Sequence, residues 1–362
     1  MHMADALVSP AVGAVMYGAT AITAAVSISK LKKEEKLQLE STSKRLPAMA
    51  VMSALVFAGQ MINYTIPGTG SSGHLCGGMM LTAVLGPFAG FLSMIVILAI
   101  QCLFFADGGL LALGANIWNM AFYGCFVGYF LIYRPIVQGK LFKGKGLHAA
   151  NRMRITLASI LGCILTLQLG SFSVVLQTQL SGIAELPLGG FVALMQPIHL
   201  VIGLIEGLIT TAVLLFLYQA QPTLLRDVPL TEEAAAEKRF SFKGTIAVLA
   251  IVALVIGGGM SLLASSNPDG LEWSMFGNQE AGYSANMGLD EESFGIRSEA
   301  ADTAASIQEK TAILPDYAFA NNTSNPAGTS VSGILGVALV AGVAVLVCGA
   351  GGFFRRKRVS NA

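Results

Sequence analysis

The residues of this chain best equipped for chemistry stand at its start, Met1-His2-Met3-Ala4-Asp5, and in a distant glycine-rich turn, Gly68-Thr69-Gly70-Ser71-Ser72-Gly73-His74. A free Met-His terminus offers three successive nitrogens: the α-amine of Met1, the amide nitrogen of His2 once deprotonated, and a ring nitrogen of His2. Amine and amide close a five-membered chelate, and amide and imidazole close the next ring. An imidazole from His74 adds a fourth nitrogen. Four nitrogens in a plane suit Ni(II) or Cu(II), with Co(II) also open. The plain alternative is that Met1 is only an initiator and His2 one isolated histidine. The two readings part on whether positions 2 and 74 lie on the same side of the fold.

Composition answers what kind of fold that is. Of 362 residues, 54% are hydrophobic and 12% charged, where a soluble domain carries about 25% charged residues. Several apolar runs approach or exceed the roughly 20 residues of a membrane-spanning helix. The chain reads as an all-α polytopic membrane protein. A net charge of +1 offers no basic patch for nucleic acid. The five cysteines are scattered, with no metal-type or redox-type pairing. The N-terminus lacks the basic region of a cleavable signal, and Asp5 stands at the mouth of the first apolar run. The first span is therefore expected to stay, and Met1 with it, since methionine trimming favours a small second residue.

Nine spans are expected: 6–29, 46–62, 74–86, 87–105, 110–133, 155–176, 190–218, 244–264 and 332–354. The third and fourth meet at Gly86-Pro87, where proline must break a helix. Twenty of the 22 Lys and Arg fall after the first, fifth, seventh and ninth spans, and the stretch 265–331 holds ten acids against two bases. Basic loops face the cytoplasm. An N-terminus outside and a C-terminus inside satisfy every loop, and place Met1-His2 and His74 together on the external side.

Several motifs resemble the CbiM/NikM family, the substrate-capture (S) components of cobalt and nickel energy-coupling-factor transporters. They are Met1–Pro10, Gly70-Ser71-Ser72-Gly73-His74-Leu75, Leu85-Gly86-Pro87, Asp107-Gly108-Gly109-Leu110, Leu113–Met120, and His199-x-x-x-Gly203-x-x-Glu206. They occur in order over residues 1 to about 220. Asn267-Pro268-Asp269-Gly270-Leu271-Glu272 is similar to the "PDGLE" motif found with small NikN/CbiN-type subunits, so 244–358 reads as a fused second module behind a cytoplasmic connector, 221–243. The resemblance implies a bundle of six spans with one more at the N-terminus. It implies a metal site made by Met1, His2 and His74, and Ni(II) or Co(II) as transported substrate with no organic cofactor. It also implies a transmembrane coupling (T) subunit and two ATPase (A) subunits as partners, in a prokaryotic cell membrane. No G-x-x-x-x-G-K-[ST] occurs in the chain, so ATP hydrolysis would come from those other polypeptides.

The remaining candidates each have a structural and a functional reading. Glu206 is the only acid inside an apolar span, a costly placement that is functional by default. It shares a helix face with His199, seven residues away, and packing is the favoured role for the pair. Asn116 and Asn119, one turn apart, are expected to bond neighbouring helices, with support of the metal loop as the lesser option. Ser71 and Ser72 are expected to hold that loop rather than bind metal. Ala50, Ala54 and Ala58 form a small-residue row that would let another helix approach; contact with the coupling subunit is preferred over packing within the chain. Two other classes stay open: a stand-alone ion-coupled carrier using Glu206 as a proton site, and a metal-sensing or scaffold protein without transport. No nucleophile–base pair marks an enzyme.

Overall fold

A computed structural model describes residues 1–37, 42–139, 141–142, 146–230, 240–282, 287, 289 and 294–360, with side chains described except at 35–37, 42–45 and 347–360. The architecture is almost wholly helical. In chain order the elements are α1 (Pro10–Leu37), α2 (Thr42–Gln60), a hairpin of β1 (Tyr64–Ile66) and β2 (Ser71–Gly73), α3 (Gly78–Leu85) and α4 (Pro87–Phe105). Then come α5 (Leu113–Gln138), wound as a π-helix over Trp118–Tyr133, α6 (Leu147–Leu180) and α7 (Leu188–Ala220). After residue 241 follow α8 (Phe242–Gly258), α9 (Gly270–Phe276), α10 (Glu299–Thr311) and α11 (Ala327–Ser360).

Among the described residues six helices are long and apolar enough to cross a membrane, namely α1, α4, α5, α6, α7 and α11, while α2 and α8 carry shorter apolar stretches. The chain is a multi-pass membrane protein. Many large apolar side chains point outward, among them Val15, Ile22, Leu131, Leu180 and Leu346, as a lipid-facing surface requires.

The expected span 74–86 is not a helix across the membrane. Residues 74–77 have no regular secondary structure and only Gly78–Leu85 is helical. Eight residues rise about 12 Å, less than half of a hydrocarbon core of about 30 Å. The cause is local. Gly77 takes a left-handed φ of 79° with Val56 pressed against its Cα, so neither a helix nor a side chain continues through it. At the far end Gly86 has φ 86° and Pro87 opens α4, the position where a missing N–H costs nothing. Hydropathy misread this segment because it is uniformly apolar and buried whether helical or not.

The loops gather at two ends. At one end lie the chain start, the hairpin, the turn after α4 and the described residues of 259–326. There Ile313 N–H donates to Phe104 O (2.9 Å), Ser265 N–H to Asn63 O (2.7 Å) and Gly109 N–H to Met3 O (2.9 Å). At the opposite end Arg226 N–H donates to Ala83 O (2.8 Å), and Arg226 and Arg134 pair with Glu34 and Asp227. The core runs between them, from Phe57, Phe91 and Phe105 to Tyr133.

The alanine row departs from expectation as well. Ala50, Ala54 and Ala58 are buried at 5%, 3% and 0% exposure, inside the chain's own bundle. Helix α2 packs against α8 and α11, with Phe57 lying on Gly336 of α11. Small residues do admit a close neighbour here, and the neighbouring helices belong to this chain.

Candidate metal site at the chain start

The first three residues are threaded into the bundle rather than left at its surface. Met3 is wholly buried. Its N–H donates to Asn116 Oδ1 (2.7 Å) and its carbonyl accepts from Asn116 Nδ2 (3.1 Å), so one side-chain amide takes the place of a neighbouring strand. Asn119 reaches the Met3 sulfur (3.4 Å) and exchanges hydrogen bonds with Gln177. Both asparagines therefore anchor the chain start. Asp5 follows as a second anchor, accepting from Ala112 N–H (3.0 Å). Its carboxylate lies against Gly109, where any Cβ would overlap it.

The His74 arm is fixed from the other side. Both oxygens of Glu206 are used: one accepts from Cys76 N–H and the other from Gly77 N–H, each at 2.9 Å. Gln60 Nε2 donates to Cys76 O (2.8 Å), and Gln101 Nε2 donates to Gln60 Oε1 (3.0 Å). These bonds stand in for the helical ladder that the stretch lacks, giving partners to the Cys76 and Gly77 N–H groups and the Cys76 carbonyl. His199 does not bond Glu206. Its Nδ1 hydrogen-bonds Met195 O (2.8 Å), one turn back on α7, and its ring packs beside Gly270. Ser71 and Ser72 are spent on the loop: the Ser71 hydroxyl donates to Ser72 O (3.2 Å) and the Ser72 hydroxyl to Asn267 O (2.8 Å).

Between these anchors the Met1 amine lies 3.1 Å from His74 Nε2, and the rings of His2 and His74 stack with centroids 5.3 Å apart. His74 Nδ1 faces Leu75 O at 3.0 Å. A carbonyl only accepts, so Nδ1 carries the proton and Nε2 presents its lone pair toward the amine. His2 Nδ1 lies 3.2 Å from Asp107 Oδ1, and its Nε2 is buried without a hydrogen-bond partner. The structure thus brings together Met1, His2 and His74. Two acids that the sequence did not single out join them: Asp107, and Asp269, whose Oδ2 accepts from the Met1 amine at 2.7 Å.

The charges tune one another. Burial lowers the affinity of the Met1 amine for its proton, but the charge and hydrogen bond of Asp269 outweigh it and the net pKa is raised. Burial leaves His2 below its ordinary value despite Asp107. Burial opposes ionisation of Asp269, yet the amine and His74 hold its carboxyl well below the usual carboxylate range. Glu272, beside the Asp269 charge and partly desolvated, is pushed up to about 7. A cavity of about 620 Å³ opens onto the site, lined by His2, His74, Asp107, Asp269, Glu272 and Asp316 among others, with no Lys or Arg in its wall.

A multi-pass helical bundle that buries its own amino group among imidazoles, beneath an acidic cavity, is the architecture of a membrane protein that handles cations. Residues 2–224 match the model of CbiM, the cobalt uptake substrate-specific transmembrane region, and residues 243–351 match the PDGLE domain. The chain belongs to the CbiM family of cobalt and nickel transport proteins. It is 31% identical to a putative fused nickel transport protein NikMN of Archaeoglobus fulgidus over 94% of this chain and 95% of that one. It is 30% identical to the fused nickel transport protein NikMN of Rhodobacter capsulatus over 95% and 96%. A solved structure of a truncated transition metal transporter aligns with 60% of this chain and 98% of its own, at 34% identity and a TM-score of 0.48.

Proposed function

We propose that this chain is the substrate-specific membrane component of an ATP-driven importer of Ni(II) or Co(II). The ion is held by the Met1 amine, the deprotonated His2 amide, the His2 ring and the His74 ring. The observation that carries the reading is the approach of the Met1 amine to His74 Nε2 at 3.1 Å with the His2 ring stacked alongside. Among the described residues no group of three or more His, Cys, Asp or Glu is placed to hold an ion, so an ion at this point draws on main-chain nitrogen. Binding releases the amine and amide protons. A planar nitrogen set favours Ni(II), as do the nickel transport names of the fused relatives. The acidic cavity concentrates divalent cations at the entrance by its field.

In this reading the site faces outside the cell membrane and the basic loops face the cytoplasm. Residues 1–220 form the capture domain, joined by the connector 221–243 to the second module at 244–358. A transmembrane coupling subunit and two ATPase subunits supply the energy. Against the ion-coupled carrier stands the structural use of Glu206, whose two oxygens each accept a main-chain N–H.

The test is calorimetric Ni(II) and Co(II) binding to purified protein with Met1 as its first residue, with one residue added ahead of Met1, and with His74→Ala. Both changes are expected to weaken binding by at least about a hundredfold, since each removes a direct ligand. Wild-type affinity in the extended protein would refute the free-amine site.

A further inference from the structure

The PDGLE motif does more than mark the second module, for its turn is built into the metal site. Residues 267–278 are fastened to the His74 loop at three points: Ser72 N–H donates to Pro268 O (2.8 Å), the Ser72 hydroxyl to Asn267 O (2.8 Å), and Asn278 Nδ2 to Gly70 O (2.8 Å). Gly270 packs onto the His199 ring, and a Cβ there would lie 3.0 Å from the ring and 3.1 Å from Ile198, closer than ordinary packing. Asp269 is thereby held at a fixed place, and its two oxygens have different duties. Oδ1 caps α9, accepting from Leu271 N–H (2.7 Å) and Glu272 N–H (3.0 Å), while Glu272 returns the bond to the Asp269 amide. Oδ2 stands apart, 2.7 Å from the Met1 amine and 3.9 Å from His74 Nε2. A helix cap needs one acceptor oxygen, so the second is free to act elsewhere.

We propose that Asp269 is the positioning residue of the metal site: its Oδ2 accepts an N–H of the Met1 amine and turns the amine lone pair toward the ion. The inference rests on the four-nitrogen reading above. A metal-bound amine still carries two N–H bonds, so the contact survives when the ammonium proton leaves. It then orients a ligand just as outer carboxylates orient metal-bound imidazoles. The PDGLE module, 268 residues away in sequence, contributes directly to ion capture. It also closes one wall of the site with a negative charge that favours a divalent ion.

Asp269→Ser and Asp269→Asn, made in the full-length protein, separate the two oxygens. Each retains one acceptor for the helix cap, and neither has a second for the amine. Both are expected to keep the wild-type melting temperature, lose about ten- to a hundredfold in Ni(II) affinity, and shift the ligand-field absorption of the bound nickel. Asp269→Glu is expected to regain part of the affinity. His74→Ala is measured in parallel. Loss of binding in His74→Ala with unchanged or tighter binding and an unaltered spectrum in both Asp269 variants overturns the positioning role alone. Unchanged binding in His74→Ala overturns the four-nitrogen reading beneath it. If Asp269→Ser lowers the melting temperature, Asp269→Asn, with the closer side-chain shape, carries the test.

Discussion

The two ends of this bundle lean on different kinds of bond, although the site end also holds the charged pair of the Met1 amine and Asp269. At the site end, buried uncharged amides and one carboxylate grip main-chain groups: Asn116 holds Met3, Glu206 holds Cys76 and Gly77, and Gln60 holds Cys76. At the opposite end, half-exposed side chains meet as ion pairs, Arg134 with Asp227 at 3.6 Å and Arg226 with Glu34 at 3.8 Å. Main-chain bonds to buried side chains fix positions to tenths of an ångström, which a metal chelate demands. Exposed pairs specify little beyond the sign of charge.

The largest effect that separates the ends is one of pH. At the proposed four-nitrogen site, ion binding must expel the proton of the Met1 amine, whose pKa is raised, and the amide proton of His2. Two protons per ion make affinity rise about a hundredfold per pH unit, falling to about tenfold once the amine's own pKa is passed. Without the ion the sign reverses. The raised amine contributes stability that is complete below its ordinary pKa of about 8 and is lost as pH rises through the higher folded value. Asp269, held low, loses its contribution only as pH falls through its depressed pKa. Nickel titrations between pH 6 and 8 check the first slope, and melting temperatures of the ion-free protein check the second. A flat affinity profile would show that no main-chain nitrogen is used.

Next in size is Glu206→Gln. One acceptor remains where two were needed, and an NH₂ group then confronts a main-chain N–H. A cost of about 2–3 kcal/mol is expected, read as a lower melting temperature, together with nickel affinity reduced about tenfold as the His74 arm loosens. A fully stable variant that binds nickel but has lost transport would instead assign Glu206 to the transport step. Asn116→Ala should follow, at about 1–3 kcal/mol, since the N–H and carbonyl of buried Met3 are left without their side-chain partner. Its nickel affinity should fall while the opposite end stays intact.

How far the sequence foretold this contrast depends on the range of the interaction. The Met-His start is a local signal, and charge bias alone put it on the side of His74, 72 residues on. Asp269 stood in the sequence only as part of the PDGLE motif, and its capping of a helix emerges in the structure. Its second oxygen is a tertiary fact, because nothing near position 269 mentions Met1. Glu206 stood out as a buried acid, but its partners are amides, which every residue carries. The stretch 74–85, helical only from Gly78, escaped for a related reason: hydropathy reports burial, and main-chain groups satisfied by Glu206 and Gln60 are buried as well as those in a helix. The alanine row was legible as a place of close approach, though not for which helix approaches.

The smallest expected effect is at the opposite end and is the sharpest control. Arg226 is about one-third exposed. Its side chain pairs with Glu34 at 3.8 Å and donates to Leu85 O at 3.2 Å, while its main-chain bond to Ala83 survives any substitution. Exposed pairs contribute from nothing to about 1 kcal/mol. Arg226→Ala should therefore lower stability by less than about 1 kcal/mol and leave nickel affinity unchanged, measured by melting and calorimetry on one preparation. Leu85 ends the short helix whose other end carries Gly77 and the Glu206 bonds. If Arg226→Ala weakens nickel binding as much as Glu206→Gln does, α3 is transmitting position from one rim to the other, and the two ends act as one device.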